Sequence, residues 1–131
     1  MNTELIVEAA RDTLAGTAPF PEIVAKLLAA GVEYYHVDYA SLRKTFYGPG
    51  GGAVVTPITF ENLPSIAAEF NAAELRAAIL DSQRHGQPYR EFTRRAIAAG
   101  VQSYYAFLRG QRVTYLGRNG DQHTEWFPGA R

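Results

Sequence analysis

The chain contains no cysteine, which excludes disulfides, thiol nucleophiles and cysteine-ligated zinc or iron–sulfur centres. It lacks any apolar run near the about 18 residues that span a bilayer. Asn2-Thr3-Glu4 and the early Arg11 do not build a secretion signal, so a cytoplasmic protein without a membrane partner is expected. Catalytic signatures are missing as well. There is no H-E-x-x-H, no serine nucleophile elbow, and Pro49-Gly50-Gly51-Gly52 opens no helix that would cradle a phosphate. No cofactor and no metal is implied.

Net charge is also absent, with 13 Lys+Arg against 13 Asp+Glu, but the balance hides an asymmetry. Residues 1–70 hold four basic and eight acidic side chains (−4), and residues 71–131 hold nine and five (+4). Attraction between the two halves across their own interface accounts for this. Head-to-tail self-association, or an acidic partner for the basic half, is the alternative. At 131 residues and 47% hydrophobic content, the chain is long and apolar enough for one domain with its own core.

What is present is a repeat. Pro19, Phe20, Glu22, Ala29-Ala30-Gly31-Val32, Tyr35, Arg43, Thr45, Gly48 and Gly51 recur 69 positions later. Their counterparts are Pro88, Tyr89, Glu91, Ala98-Ala99-Gly100-Val101, Tyr104, Arg112, Thr114, Gly117 and Gly120. Asn2, Ala9 and Asp12 likewise match Asn71, Ala78 and Asp81, with no gap. The chain therefore reads as a single α+β domain, 1–131, made by tandem duplication of an ααβββ unit. The units are 2–58 and 71–128, joined by a linker at 59–70, with antiparallel meanders packed about a pseudo-twofold.

Apolar residues at helical spacing predict helices over about 3–14 and 72–84. Asn71 with Glu74 forms a capping-box start. Second helices open near Pro21 and Pro88 and stop at Gly31 and Gly100. Strands are predicted at about 33–39, 42–48, 53–58, 102–108, 111–117 and 121–127. A short helix is expected after Leu63-Pro64.

Two-residue turns at Arg109-Gly110 and Asn119-Gly120 set the register. They place Tyr104, Ala106, Leu108, Val113, Tyr115 and Trp126 toward the helices. Ser103, Tyr105, Phe107, Arg112, Thr114, Leu116, His123, Glu125 and Phe127 fall on the other face. Copied back by 69, the register puts Tyr35, Val37, Tyr39 and Phe46 inside. Tyr34, His36, Asp38, Arg43, Thr45 and Tyr47 lie outside, with Asp38 opposite Arg43.

The string Ala29-Ala30-Gly31-Val32-x-Tyr34-Tyr35-His36-Val37-Asp38-Tyr39, followed by Lys44-Thr45-Phe46-Tyr47, resembles a bacterial and prophage family. That family is domain of unknown function 1398, sometimes labelled phage envelope protein. Tyr89-Arg90-Glu91-Phe92-x-Arg94-Arg95, Ala98-Ala99-Gly100-Val101, Tyr115, Gly117, Gly120 and His123-Thr124-Glu125-Trp126-Phe127-Pro128-Gly129 extend the likeness over nearly the whole chain. The resemblance implies a small soluble bacterial protein without an established activity.

The outer sheet face is the candidate site: Tyr34, His36, Asp38, Arg43, Tyr105, Phe107, Arg112, His123 and Glu125. Aromatic side chains mixed with charge suit recognition, so a non-enzymatic, homo-oligomeric interaction module, with a dimer favoured, is expected. The alternative is a small-ligand or metal-dependent activity between the repeats, where His36–Asp38 and His123–Glu125 would converge. A solvated histidine beside a cross-strand Asp38–Arg43 ion pair is the simpler account of the first pair. Arg84, Arg90, Arg94 and Arg95 form a basic helical patch, but nucleic acid is not an expected partner of a neutral chain.

Overall fold

Helices and strands alternate in blocks because the hydrophobic period switches between 3.6 and 2 along the chain. The computed structural model describes residues 1–130. In chain order the elements are α1 (Thr3–Ala15), α2 (Phe20–Ala29), β1 (Tyr34–Asp38), β2 (Arg43–Tyr47) and β3 (Ala53–Pro57). The second block is α3 (Ala72–His85), α4 (Tyr89–Ala98), β4 (Val101–Phe107), β5 (Arg112–Gly117) and β6 (Gln122–Trp126). The strands form one antiparallel sheet ordered β3-β2-β1-β4-β5-β6. Residues 59–70 contain no helix, against expectation. The segment is instead a strap whose Phe60, Leu63, Ile66 and Phe70 pack onto the core, and side-chain burial does there what helical hydrogen bonds would have done.

Helix ends follow local chemistry. Asn2 Oδ1 and Asn71 Oδ1 accept from the Leu5 and Glu74 N–H groups, filling orphan donors of the first turn. Gly31 and Gly100 follow α2 and α4 with φ of 87° and 94°, the left-handed conformation that halts a helix cheaply only at glycine. At Gly100 space is also lacking, since a Cβ would run into the Glu69 carbonyl and lie 2.9 Å from Phe70 Cα. At Gly86, φ is 65° and nothing lies within 4 Å. Gly86→Ala should therefore cost about 1 kcal/mol, whereas Gly100→Ala should cost at least about 2 kcal/mol. Urea midpoints of the two variants check this, and equal losses would refute the steric argument.

Strands β1 and β4 join the two halves at the sheet centre. His36 faces Tyr105, the residue 69 positions later, while Tyr34 faces Phe107 and Asp38 faces Ser103. The register is thus symmetric about the His36/Tyr105 pair. The helices cover the face carrying Tyr35, Val37, Phe46, Tyr104, Ala106, Val113 and Tyr115, all buried in one core with Ile6, Leu27, Leu75 and Ile97. Helix α4 starts over the first half, with the Tyr89 ring 4.4 Å from Lys44 Nζ on β2. The start of α2 lies against the second half, where Phe20 meets Phe127 edge-on at 5.2 Å.

The last hairpin corrects the predicted register. The Gly117 N–H donates to the Asp121 carbonyl, so Arg118-Asn119-Gly120 forms a three-residue loop, with Gly120 at φ 84°. Tyr115 consequently faces His123, Val113 faces Glu125 and Arg112 faces Trp126. One residue of slip exchanges the two faces of a strand. His123, Glu125 and Phe127 therefore belong to the helix side, and Trp126 lies outside with the Arg112 guanidinium 4.6 Å over its ring. The other predicted turn keeps its register, since Phe107 faces Arg112 as expected, around a longer loop of residues 108–111.

Candidate functional site

Two places on the sheet concentrate chemistry, one on each face. On the uncovered face, the registers line residues up in rows that cross all six strands. One row reads Ala53, Tyr47, Tyr34, Phe107, Arg112, Trp126, and the next reads Val55, Thr45, His36, Tyr105, Thr114, Thr124. Tyr34 stacks on Tyr47 at 4.8 Å and lies 6.1 Å from Phe107, which stacks on Tyr105 at 5.9 Å. His36 packs on Tyr105 at 4.4 Å. Burial lowers the His36 pKa, opposed by nearby Asp38, so the imidazole is the more readily neutral. Val55 is 57% exposed in the same row.

Asp38 does not pair with Arg43, although the two face each other across β1 and β2. Its Oδ1 accepts from the Ala40 and Ser41 N–H groups at 2.9 and 3.2 Å. Partial burial works to raise its pKa, but the Ser41 and Ala40 donors outweigh that and hold the carboxyl below its ordinary value. Asp38 is thus a turn-former, bonding its own backbone two residues on. Arg43 and Arg112 are both exposed.

The two His–acid pairs do not converge. His36 and Asp38 lie on the open face, whereas His123 bonds Glu125 at 3.0 Å on the helix side. The latter pair lines an open hollow with Arg76 and Gln83 of α3. Among the described residues no group of three His, Asp or Glu side chains could hold a metal ion. The predicted basic patch is also dispersed: Arg95 pairs with Asp81 at 2.6 Å, Arg94 approaches Glu91, and Arg90 donates to the Glu61 carbonyl.

The second place was not anticipated. Lys44 is 3% exposed and points from β2 into the core, with no carboxylate in ion-pair range among the described residues. Its neighbour across the β2/β3 ladder is Thr56. Tyr89 and Tyr104 share a 2.6 Å hydrogen bond, and Tyr39 lies within electrostatic reach of Tyr89 and Thr93. The Tyr39 hydroxyl, Thr56 Oγ1 and Thr93 Oγ1 are buried without a hydrogen-bond partner. Burial alone pulls the Lys44 pKa from 10.5 to about 7. Leaving several polar groups unsatisfied in one spot costs about 1–3 kcal/mol each, an expense that packing does not require.

A signal for this cluster was present in the repeat. The positions 69 away from Tyr39, Lys44, Tyr89 and Thr93 hold Leu108, Val113, Phe20 and Val24. Tyr for Phe and Thr for Val keep the shape and add a hydroxyl, so these four positions are polar where their partners 69 away are hydrocarbon, whereas Thr56 is offset onto Glu125.

Neither a protein-family model nor a curated protein matches the chain. Among the described residues no helix is long and apolar enough to cross a membrane.

Proposed function

We propose that the protein is a non-enzymatic interaction module that binds through its open sheet face, with a second copy of the chain as partner. The observation that carries this is the row Tyr47, Tyr34, Phe107, Arg112, Trp126, which no helix covers. Half-exposed aromatic rings beside an exposed guanidinium suit recognition.

Charge allows a second copy. The chain is neutral, so no net repulsion opposes pairing. On the open face the charged side chains are Asp38, Arg43 and Arg112, so stacking it on a second copy buries little charge. The five gaps of about 4.8 Å between six strands and five residues at about 3.3 Å rise give roughly 400 Å² of plan area. That is about half of one partner's share in a standard interface, so the dimer should be reversible.

Two internal features accompany this reading. The symmetric β1/β4 register and the 69-residue offset support tandem duplication of units 2–58 and 71–128. The motif likeness to domain of unknown function 1398 is the ground for reading a bacterial, prophage-related setting.

Sedimentation velocity over a wide concentration range tests the proposal. The wild-type chain is expected to shift from monomer to dimer. Tyr105→Ala with Phe107→Ala should raise the dissociation constant at least about tenfold with an unchanged circular dichroism spectrum. A wild-type chain that stays monomeric throughout, or a variant with the same profile, would overturn it.

A further inference from the structure

We propose that Lys44, with the hydroxyls of Tyr39, Thr56 and Thr93, forms a site that captures a small carbonyl compound, an aldehyde or 2-oxo acid, as an imine on Lys44 Nζ. This site lies on the helix side of the sheet and is independent of the open face.

Geometry carries the proposal. Lys44 is 3% exposed as a residue, and its Nζ lies 4.4 Å over the Tyr89 ring with no carboxylate in ion-pair range among the described residues. A buried lysine with a structural role would be paired. A lysine that merely filled the space would be matched by the Val113 that occupies the corresponding place. The Tyr39, Thr56 and Thr93 hydroxyls are buried there without a well-formed partner, Tyr39 and Thr93 approaching one another, and each can turn to donate to a carbonyl oxygen. Residues 60 and 61 lie beside the start of α4, with Phe60 6.1 Å from the Tyr89 ring and Arg90 holding the Glu61 carbonyl at 2.9 Å.

The chemistry balances without an oxidant or reductant. The Nζ lone pair attacks the carbonyl carbon and the C–N bond forms. The carbonyl π pair passes to oxygen, which takes one amine proton relayed through a neighbouring hydroxyl. The second amine proton and the new hydroxyl then leave as water, giving the imine. Nucleophilic lysines of this kind are activated by desolvation. Burial sets the Lys44 amine near a pKa of about 7, so at neutral pH its uncharged fraction exceeds that of an ordinary lysine by about a thousandfold.

The sequence makes the test clean, because the only lysines are Lys26 and Lys44. Lys26 is bound to Asp12 and Glu8 at 2.9 and 3.2 Å on the surface. The folded protein is incubated with glyoxylate and cyanoborohydride at neutral pH, and carboxymethylated peptides are quantified by mass spectrometry. Lys44 is expected to be modified at least about tenfold faster than Lys26, and the preference should vanish in urea. Thr93→Val and Tyr89→Phe, which install the residues found at positions 24 and 20, should slow trapping at Lys44 several-fold while preserving the fold. Modification of Lys26 with Lys44 spared in the folded chain would overturn the proposal. So would trapping at Lys44 that is indifferent to both isosteric variants.

Discussion

Above pH 10 the protein is expected to unfold in a single steep step. Tyr35, Tyr39, Tyr89, Tyr104 and Tyr115 are buried together, and burial, first among the causes, raises every one of their phenol pKa values above the ordinary 10.0. Mutual repulsion among their phenolates adds to the shift. The sign follows from proton binding. Above pH 10 the unfolded chain releases these protons while the folded chain retains them, so the stability they confer is present below the unfolded pKa and is lost as pH rises. Each group contributes about 1.4 kcal/mol per pH unit, so five give about 7 kcal/mol per unit, comparable with the whole stability of a small domain. Tyrosinate absorbance and circular dichroism recorded during alkaline titration check this. The absorbance change of five rings should coincide with loss of structure. Five rings ionising smoothly near pH 10 within an intact fold would contradict it.

Replacing Lys44 by methionine is expected to stabilise the protein. The lysine pKa is lowered from 10.5 to about 7 by burial, so its charged form is disfavoured in the folded state. Below about pH 7 the folded protein carries this penalty in full. As pH rises from about 7 toward 10.5, the unfolded chain binds more protons than the folded one and stability recovers. Lys44→Met, which keeps an unbranched side chain of similar length, should therefore add about 3 kcal/mol at about pH 6 and much less at about pH 9. Urea unfolding of both proteins at the two pH values gives the comparison. A loss of stability that is the same at both would show that the ammonium is held by a favourable contact, the Tyr89 ring being the nearest. A residue whose replacement stabilises the fold is better explained by what it does than by what it supports.

The two expectations combine into one profile. Stability should rise from neutral pH as the Lys44 penalty fades, then fall sharply once the buried phenols begin to oppose folding. Neither branch involves the open aromatic face, and the Lys26 pair with Asp12 and Glu8, which raises the Lys26 pKa, adds to the alkaline fall.

The sequence by itself determined everything that depends on neighbours a few residues away. The period-2 alternation of β1, β2, β4 and β5 placed Tyr35, Val37, Phe46, Tyr104 and Tyr115 inward, and Tyr34, His36, Tyr105 and Phe107 outward. Asn2 and Asn71 capped their helices, and Gly31 and Gly100 ended α2 and α4, because those residue types suit one backbone geometry. His36 and Tyr105, 69 positions apart, face each other at the sheet centre. Three matters were decided only in three dimensions. Asn119-Gly120 suits both a two-residue and a three-residue loop, and the longer one moved His123 and Glu125 away from His36. The strap at 59–70 gained more from burying Phe60, Leu63, Ile66 and Phe70 than from forming a helix. Lys44 shared the inward parity of Phe46, but its surroundings come from α4, 45 residues further on, where Tyr89 and Thr93 reach over β2. Local periodicity fixes the face on which a side chain stands. What waits for it on that face is set by long-range packing, and here that packing seals an amine among hydroxyls.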